Sequence, residues 1–273
     1  MKFAICNEVF GKEQSLADWK NICEYAASCG YSGIEVAPFT FASSVTDVSS
    51  VTRKEIKKIA DESGLEICGL HWLLVSPPGL HINATNESKR RETTDYLLAL
   101  VDFAGDVGAR VMIFGSPKAR FIEDSFWSAW DRTVDSYSKV LPKLEERNVI
   151  LCQEALPLPD CDFIQTTAQA QQMVEAVNHP NFQLMLDVKS MSAEQSTPAE
   201  LVREYGSRAM HLHFNDANMR APGYGETDFP AIAQAVEDIG YEHWISLEPF
   251  DYYPDPKTLA RESLQFLKTC FVG

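Results

Sequence analysis

Residues 181–216 read NFQLMLDVKSMSAEQSTPAELVREYGSRAMHLHFND. Two short apolar runs frame this segment: Gln183–Asp187 closes on a carboxylate, and Ala209–His213 carries two histidines. Between them Thr197, Pro198 and Glu200 spell a helix start. The threonine hydroxyl caps the first free N–H groups, proline sits where its missing N–H costs nothing, and the glutamate closes a capping box. Strand, helix and strand in this order form one βαβ unit, which takes roughly 30 residues and lays its strands parallel.

The same alternation extends in both directions. Further β-rich runs lie at Phe3–Asn7, Gly33–Ala37, Glu66–Trp72, Arg110–Gly115, Val149–Glu154 and Trp244–Pro249, which makes eight strands in all. Amphipathic stretches separate them. In one, Leu16, Trp19, Ile22, Cys23 and Ala26 recur at helical spacing before Gly30; in another, Leu97, Leu98, Val101 and Ala104 share a face before Gly108. Thr52 before RKEI reads as a further helix start. Eight βα units in a chain of 273 residues predict an α/β fold of (β/α)8 TIM-barrel type, with residues 1–273 as one domain. No linker or low-complexity tract divides the chain. The longest irregular segments, Leu73–Glu87, Ala155–Gln165 and Asn215–Thr227, each follow a strand, which is where barrel enzymes elaborate their sites.

Composition narrows the function. With 24 basic and 39 acidic residues the formal charge is 24 − 39 = −15, a field that repels nucleic acid and anionic lipid. The seven cysteines form no CxxC pair and suggest reduced thiols. No stretch approaches the roughly 18 apolar residues of a membrane span, and the N-terminus lacks a long apolar run, so a cytoplasmic protein without a membrane partner is expected. A homo-oligomer stays open.

The chemistry collects at the strand ends. Glu154 closes ILCQE, Asp187 closes LMLD, His213 lies at the end of strand seven and Glu248 closes ISLE. Their spacings, 187 − 154 = 33, 213 − 187 = 26 and 248 − 213 = 35, each match one βα unit, so four consecutive strands present one ionisable group each. An isolated strand-end carboxylate ordinarily caps a helix or meets solvent. Four ionisable groups at one rim, three of them closing apolar strands, need a shared partner, because an unpaired ionised group is costly to desolvate. Three carboxylates and one imidazole suit one divalent metal ion, Mn²⁺, Mg²⁺ or Co²⁺ before Zn²⁺. His211 lies two residues before His213 on the same face of the strand and reads as a supporting or core histidine. His71 and Trp72 at the rim of strand three, and Arg220 in the loop after strand seven, are substrate-contact candidates. Lys118 and Arg120 after strand four could hold a phosphate or carboxylate, Phe10 and Phe39 could join Trp72 in an apolar wall, and His81, His179 and His243 read as surface or loop residues.

The segments ILCQEALP, LMLDVKSM, HLHFNDANMRAPGYGETDF, ISLEPF and GLHWLLVSPPGLH resemble the xylose isomerase-like TIM barrel superfamily, in particular its sugar isomerase and epimerase branch with the ketose 3-epimerases. The resemblance spans most of the chain. It implies that Glu154, Asp187, His213 and Glu248 bind the metal, that Glu154 and Glu248 also serve as acid and base, and that the substrate is a small ketose or related polyhydroxy carbonyl compound. Two positions depart from the ketose 3-epimerase pattern. A substrate-contacting histidine three residues after the metal aspartate is replaced by Ser190, and a substrate-contacting glutamate six residues after the first metal glutamate is replaced by Asp160. A DNA-repair endonuclease of the superfamily would need further histidines where Ser190 and Gly115 stand. A keto-cyclitol or keto-acid dehydratase, a hydroxypyruvate-type isomerase and a catalytically silent sugar-binding barrel use the same scaffold and stay open.

Overall fold

The computed structural model describes residues 1–271. Eight parallel strands, β1 (Lys2–Cys6), β2 (Gly33–Val36), β3 (Glu66–Leu70), β4 (Val111–Phe114), β5 (Ile150–Gln153), β6 (Phe182–Asp187), β7 (Ala209–Phe214) and β8 (Trp244–Leu247), pair in chain order, and β8 returns to β1 to close the barrel. The helices α1 (Leu16–Cys29), α2 (Ser50–Glu62), α3 (Glu87–Val107), α4 (Phe126–Arg147), α5 (Thr167–Val177), the single turn α6 (Val188–Met191), α7 (Pro198–Tyr205), α8 (Phe229–Asp238) and α9 (Pro256–Cys270) lie between strands or after the last. This is the expected barrel.

The local signals act as the sequence implies, with one exception. Thr197 and Glu200 form the capping box of α7 with Pro198 at its first turn, and Gly30 and Gly108 end α1 and α3 in the left-handed region at φ +97° and +85°. Thr52, however, does not cap α2. Ser49 does, and Thr52 donates its N–H to the Ser49 hydroxyl; two serines ahead of the threonine offered an earlier cap.

Several strands end a residue or two before the expected position, for a reason that serves the site. The N–H groups of His71, Glu154 and Glu248 still bond to the neighbouring carbonyls of Val36, Phe114 and Phe214 at 3.1, 3.2 and 3.3 Å, so these residues are held by the ladder although the strands stop before them. Trp72 then turns left-handed at φ 52° and ends the run. The core lies between the helices and the outer barrel face, and Trp19 ties α1 to α2 by donating its indole N–H to the Ile56 carbonyl at 3.0 Å. Inside the barrel the side chains become polar toward the carboxyl ends of the strands. All seven cysteines are free, and no helix among the described residues is long and apolar enough to cross a membrane.

Candidate active site

Register brings the strand-end groups together. Asp187 pairs with His213 across β6 and β7, and Glu154 and Glu248 follow immediately on β5 and β8. Glu154, Asp187, His213 and Glu248 each offer one ligand atom, all within 4.8 Å of one another, and all four residues are buried. Gly115 makes room for this: a Cβ there would overlap Glu154 Oε2.

The donors are oriented from behind. Asp187 Oδ1 accepts the Ser190 N–H at 2.7 Å and Oδ2 accepts from Asn215 Nδ2 at 2.7 Å, so this carboxylate also caps α6. Arg120 donates to the Glu154 carbonyl at 2.7 Å. His213 Nε2 lies 3.1 and 3.2 Å from the two oxygens of Glu35, which leaves Nδ1 facing the cluster. There Nδ1 approaches Glu248 Oε2 to 2.8 Å without the alignment of a hydrogen bond, and it has no hydrogen-bond partner among the described residues. Two lone pairs brought close but out of line suit joint coordination of one cation, and a carboxylate behind the imidazole is the usual support of a metal-binding histidine.

Electrostatics point the same way. Burial, with the charges of Asp187 and Glu248 beside it, pushes the Glu154 carboxyl up to about 8. Burial raises Glu248 as well, against the lowering effect of His213. Burial works against a charged His213, yet Glu248 and Glu35 outweigh it and hold this imidazole well above the ordinary histidine range. Burial is the main cause of both raised carboxyls, and a divalent cation held among the four groups would offset its cost. The residues therefore fit a metal.

The second layer was only partly visible in the sequence. Glu35, fully buried on β2, faces both His213 and His211, whose Nε2 lies 2.8 Å from it. Burial alone would raise its carboxyl, but the two imidazoles hold it well below the usual carboxylate range. His211 thus lies outside the four-residue cluster. Glu8, in the turn after β1, holds His71 Nε2 at 2.8 Å. Burial disfavours the charged form of His71, but Glu8 prevails and lifts it to about 9. Glu8 and Glu35 lie at or near strand ends, a position that a sequence can show, but their partners stand 63, 176 and 178 residues away, too far to be paired by spacing.

The cluster opens into a cavity of about 200 Å³. His71, Glu154 and Glu248 line its polar end, and Trp72, Leu156, Met219 and Phe250 its apolar walls. Asp160 and Lys189 line it too. His71 and Trp72 thus lie where a substrate contact was expected. Arg220 does not. Its guanidinium pairs with Asp251 at 3.0 Å and stacks on Tyr253, while the neighbouring Met219, left-handed at φ 72°, enters the cavity. Lys118 and Arg120 do not line the cavity either: Lys118 is exposed, and Arg120 is buried with its Nη1 donating to the Glu154 carbonyl. Phe10 and Phe39 border other clefts, and His81 lies in a loop, as expected, but is buried.

The family model that matches the chain, over residues 23–270, is that of the xylose isomerase-like TIM barrel. The chain belongs to this family. Among curated relatives, the D-psicose 3-epimerase of Ruminiclostridium cellulolyticum is 29% identical over 242 residues, covering 86% of this chain and 79% of that protein. A probable ketose 3-epimerase of Synechocystis is 20% identical, with 99% of this chain and 97% of that protein covered. Among solved structures, a D-psicose 3-epimerase crystallised in the presence of D-fructose superposes with a TM-score of 0.88 at 20% identity over the whole of both chains. The class expected from the sequence, an isomerase, is the class of these named relatives.

Proposed function

We propose that this protein is a divalent-metal-dependent epimerase of a small ketose or related polyhydroxy carbonyl compound, working as one barrel domain in the cytoplasm. The observation that carries the reading is the convergence of buried Glu154, Asp187, His213 and Glu248 beside a cavity that Glu154 and Glu248 line. The kinship with named 3-epimerases supports the substrate class.

Glu154, Asp187, His213 and Glu248 would hold the metal, and the oxygen-rich set favours Mn²⁺, Mg²⁺ or Co²⁺. Bound there, the ion would polarise the substrate's oxygens and lower the cost of the negative charge that develops on them. The protein's own groups do the rest. Glu154 and Glu248 follow strands separated by β6 and β7, so each addresses a different face of a substrate carbon. One carboxylate removes the proton next to the carbonyl, leaving an enediolate-like intermediate, and the other returns a proton from the opposite side. His71, with Glu8 behind it, and Trp72 contact the sugar.

Turnover of a ketose panel in deuterated water tests this. The product should carry deuterium at the inverted carbon, and Glu154→Gln and Glu248→Gln should each slow turnover by at least about a hundredfold while the protein stays folded. Loss of water in place of inversion would reassign the site to a dehydratase, and full activity of either variant would remove that glutamate from the mechanism.

A further inference from the structure

The turn after β4 carries a buried charge that the proton transfers above do not use. Arg120 is fully buried, and none of its three nitrogens bonds to a carboxylate among the described residues. Nη1 donates to the main-chain carbonyl of Glu154 at 2.7 Å, while Nε and Nη2 have no hydrogen-bond partner among the described residues. A buried guanidinium without an anionic partner is costly. The turn that carries it is itself anchored by the segment after β3: the Ile82 N–H bonds to the Ala119 carbonyl at 2.8 Å, and Asn83 Nδ2 to the Arg120 carbonyl at 3.1 Å.

A second donor meets the same Glu154 oxygen. Gln153 Nε2 donates to it at 2.8 Å, and Gln153 Oε1 accepts from the Tyr137 hydroxyl of α4 at 2.9 Å. Tyr137 is wedged between Phe114 and Phe182, with ring centroids 5.4 and 4.6 Å away. The N–H of Glu154 is taken by the Phe114 carbonyl at 3.2 Å, so both polar groups of this main chain are fixed. Glu248, the other proton carrier, is held more lightly: its carbonyl accepts one amide, Asn215 Nδ2, at 3.2 Å. Burial raises the Glu154 carboxyl most, and Arg120, with His213, is a positive group that works against that rise. Arg120 thus lies within electrostatic reach of the carboxylate whose main chain it holds.

We propose that Arg120 and the Tyr137–Gln153 relay are positioning residues for Glu154, fixing its main chain so that its carboxylate serves one face of the reacting carbon. This rests on the epimerase reading above. None of the three lines the cavity, so each acts through Glu154.

The test gives the Mn²⁺-loaded parent, Arg120→Met and Tyr137→Phe the two epimers of the ketose that the parent inverts best, one at a time, in deuterated water. From the epimer whose proton Glu248 removes, the intermediate must collect its new hydrogen from Glu154. With Glu154 out of place it returns through Glu248, which has exchanged its proton with solvent, and the recovered starting sugar gains deuterium without inversion. From the other epimer Glu154 must act first, and no such excess arises. Arg120→Met should lower kcat by about tenfold or more with KM changed less than about threefold, and should raise the ratio of exchange to inversion at least about tenfold from one epimer only. Tyr137→Phe, which keeps its ring, should show the same one-sided change at about threefold. In crystals of metal-free Arg120→Met the Glu154 carboxylate should stand about 1 Å or more from its parent position, while Asp187 and Glu248 keep theirs. A folded Arg120→Met with parent-like ratios, or with a ratio changed equally from both epimers, overturns the inference. If Arg120→Met does not fold, parent-like ratios in Tyr137→Phe overturn it. A parent that inverts no ketose overturns the epimerase reading instead, and the position of Glu154 in the metal-free variants then decides whether the clamp exists.

Discussion

Strands β5 to β8 and strands β1 to β3 serve the same buried cluster in different ways. The first group supplies Glu154, Asp187, His213 and Glu248, one per strand, with ligand atoms facing a common point. The second supplies Glu8, Glu35 and His71, none of which belongs to that four-residue set. Glu35 instead faces His211 and His213 from across the barrel, and Glu8 faces His71. A ligand must show a lone pair to the cavity and so stands at the rim. A supporting carboxylate must reach the far nitrogen of an imidazole, and Glu35, one residue before the end of β2, is set back to do so. The difference teaches that one half of the barrel mouth brings four donor groups to one point, while from the other half Glu35 backs the imidazole of one of them and Glu8 backs His71 on the cavity wall.

The largest effects should come from the ligand half. Asp187→Ala and His213→Ala each remove a donor from the cluster, and metal retained after desalting, measured by elemental analysis, should fall by more than about a hundredfold in affinity terms. Parent-like metal content in both variants would move the site elsewhere and dissolve the contrast between the halves.

An intermediate effect is expected on the supporting half. Glu35→Gln keeps the shape but removes the charge that fixes His213, so a chelator-competition titration should show metal affinity lowered by about 10- to 100-fold. Glu35→Ala leaves two buried imidazoles without their partner and should lower unfolding stability by about 3–5 kcal/mol. If Glu35→Gln binds metal like the parent while Asp187→Ala does not, the second half is structural only, and the comparison sharpens to that.

The smallest effect belongs to Arg220. Its pair with Asp251 is 38% and 47% exposed, and such pairs contribute about 0–1 kcal/mol. Arg220→Ala should therefore change KM by less than about threefold and leave metal affinity unaltered. A larger rise in KM would show that the loop after β7 rearranges to bring the guanidinium onto the substrate, adding a third contributor to the mouth.

Much of this protein is local, and locality explains what could be read directly. The eight strands, the α7 capping box and the two glycine stops depend on residues a few positions apart, and those sequence patterns appear as the expected elements. The four rim groups were legible for a related reason: each lies within one residue of the end of its own strand, and the repeat length of a βα unit puts them on neighbouring strands. Tertiary structure alone decided the rest. Glu35 meets His211 and His213 from 176 and 178 positions away because β8 closes on β1 and folds opposite sides of the barrel onto one interior. It also decided that Lys189 rather than Ser190 lines the cavity, and Met219 rather than Arg220. One residue of difference in a loop reverses which side chain faces inward, and that choice is made by partners such as Asp160 and Asp251, which no local period brings alongside.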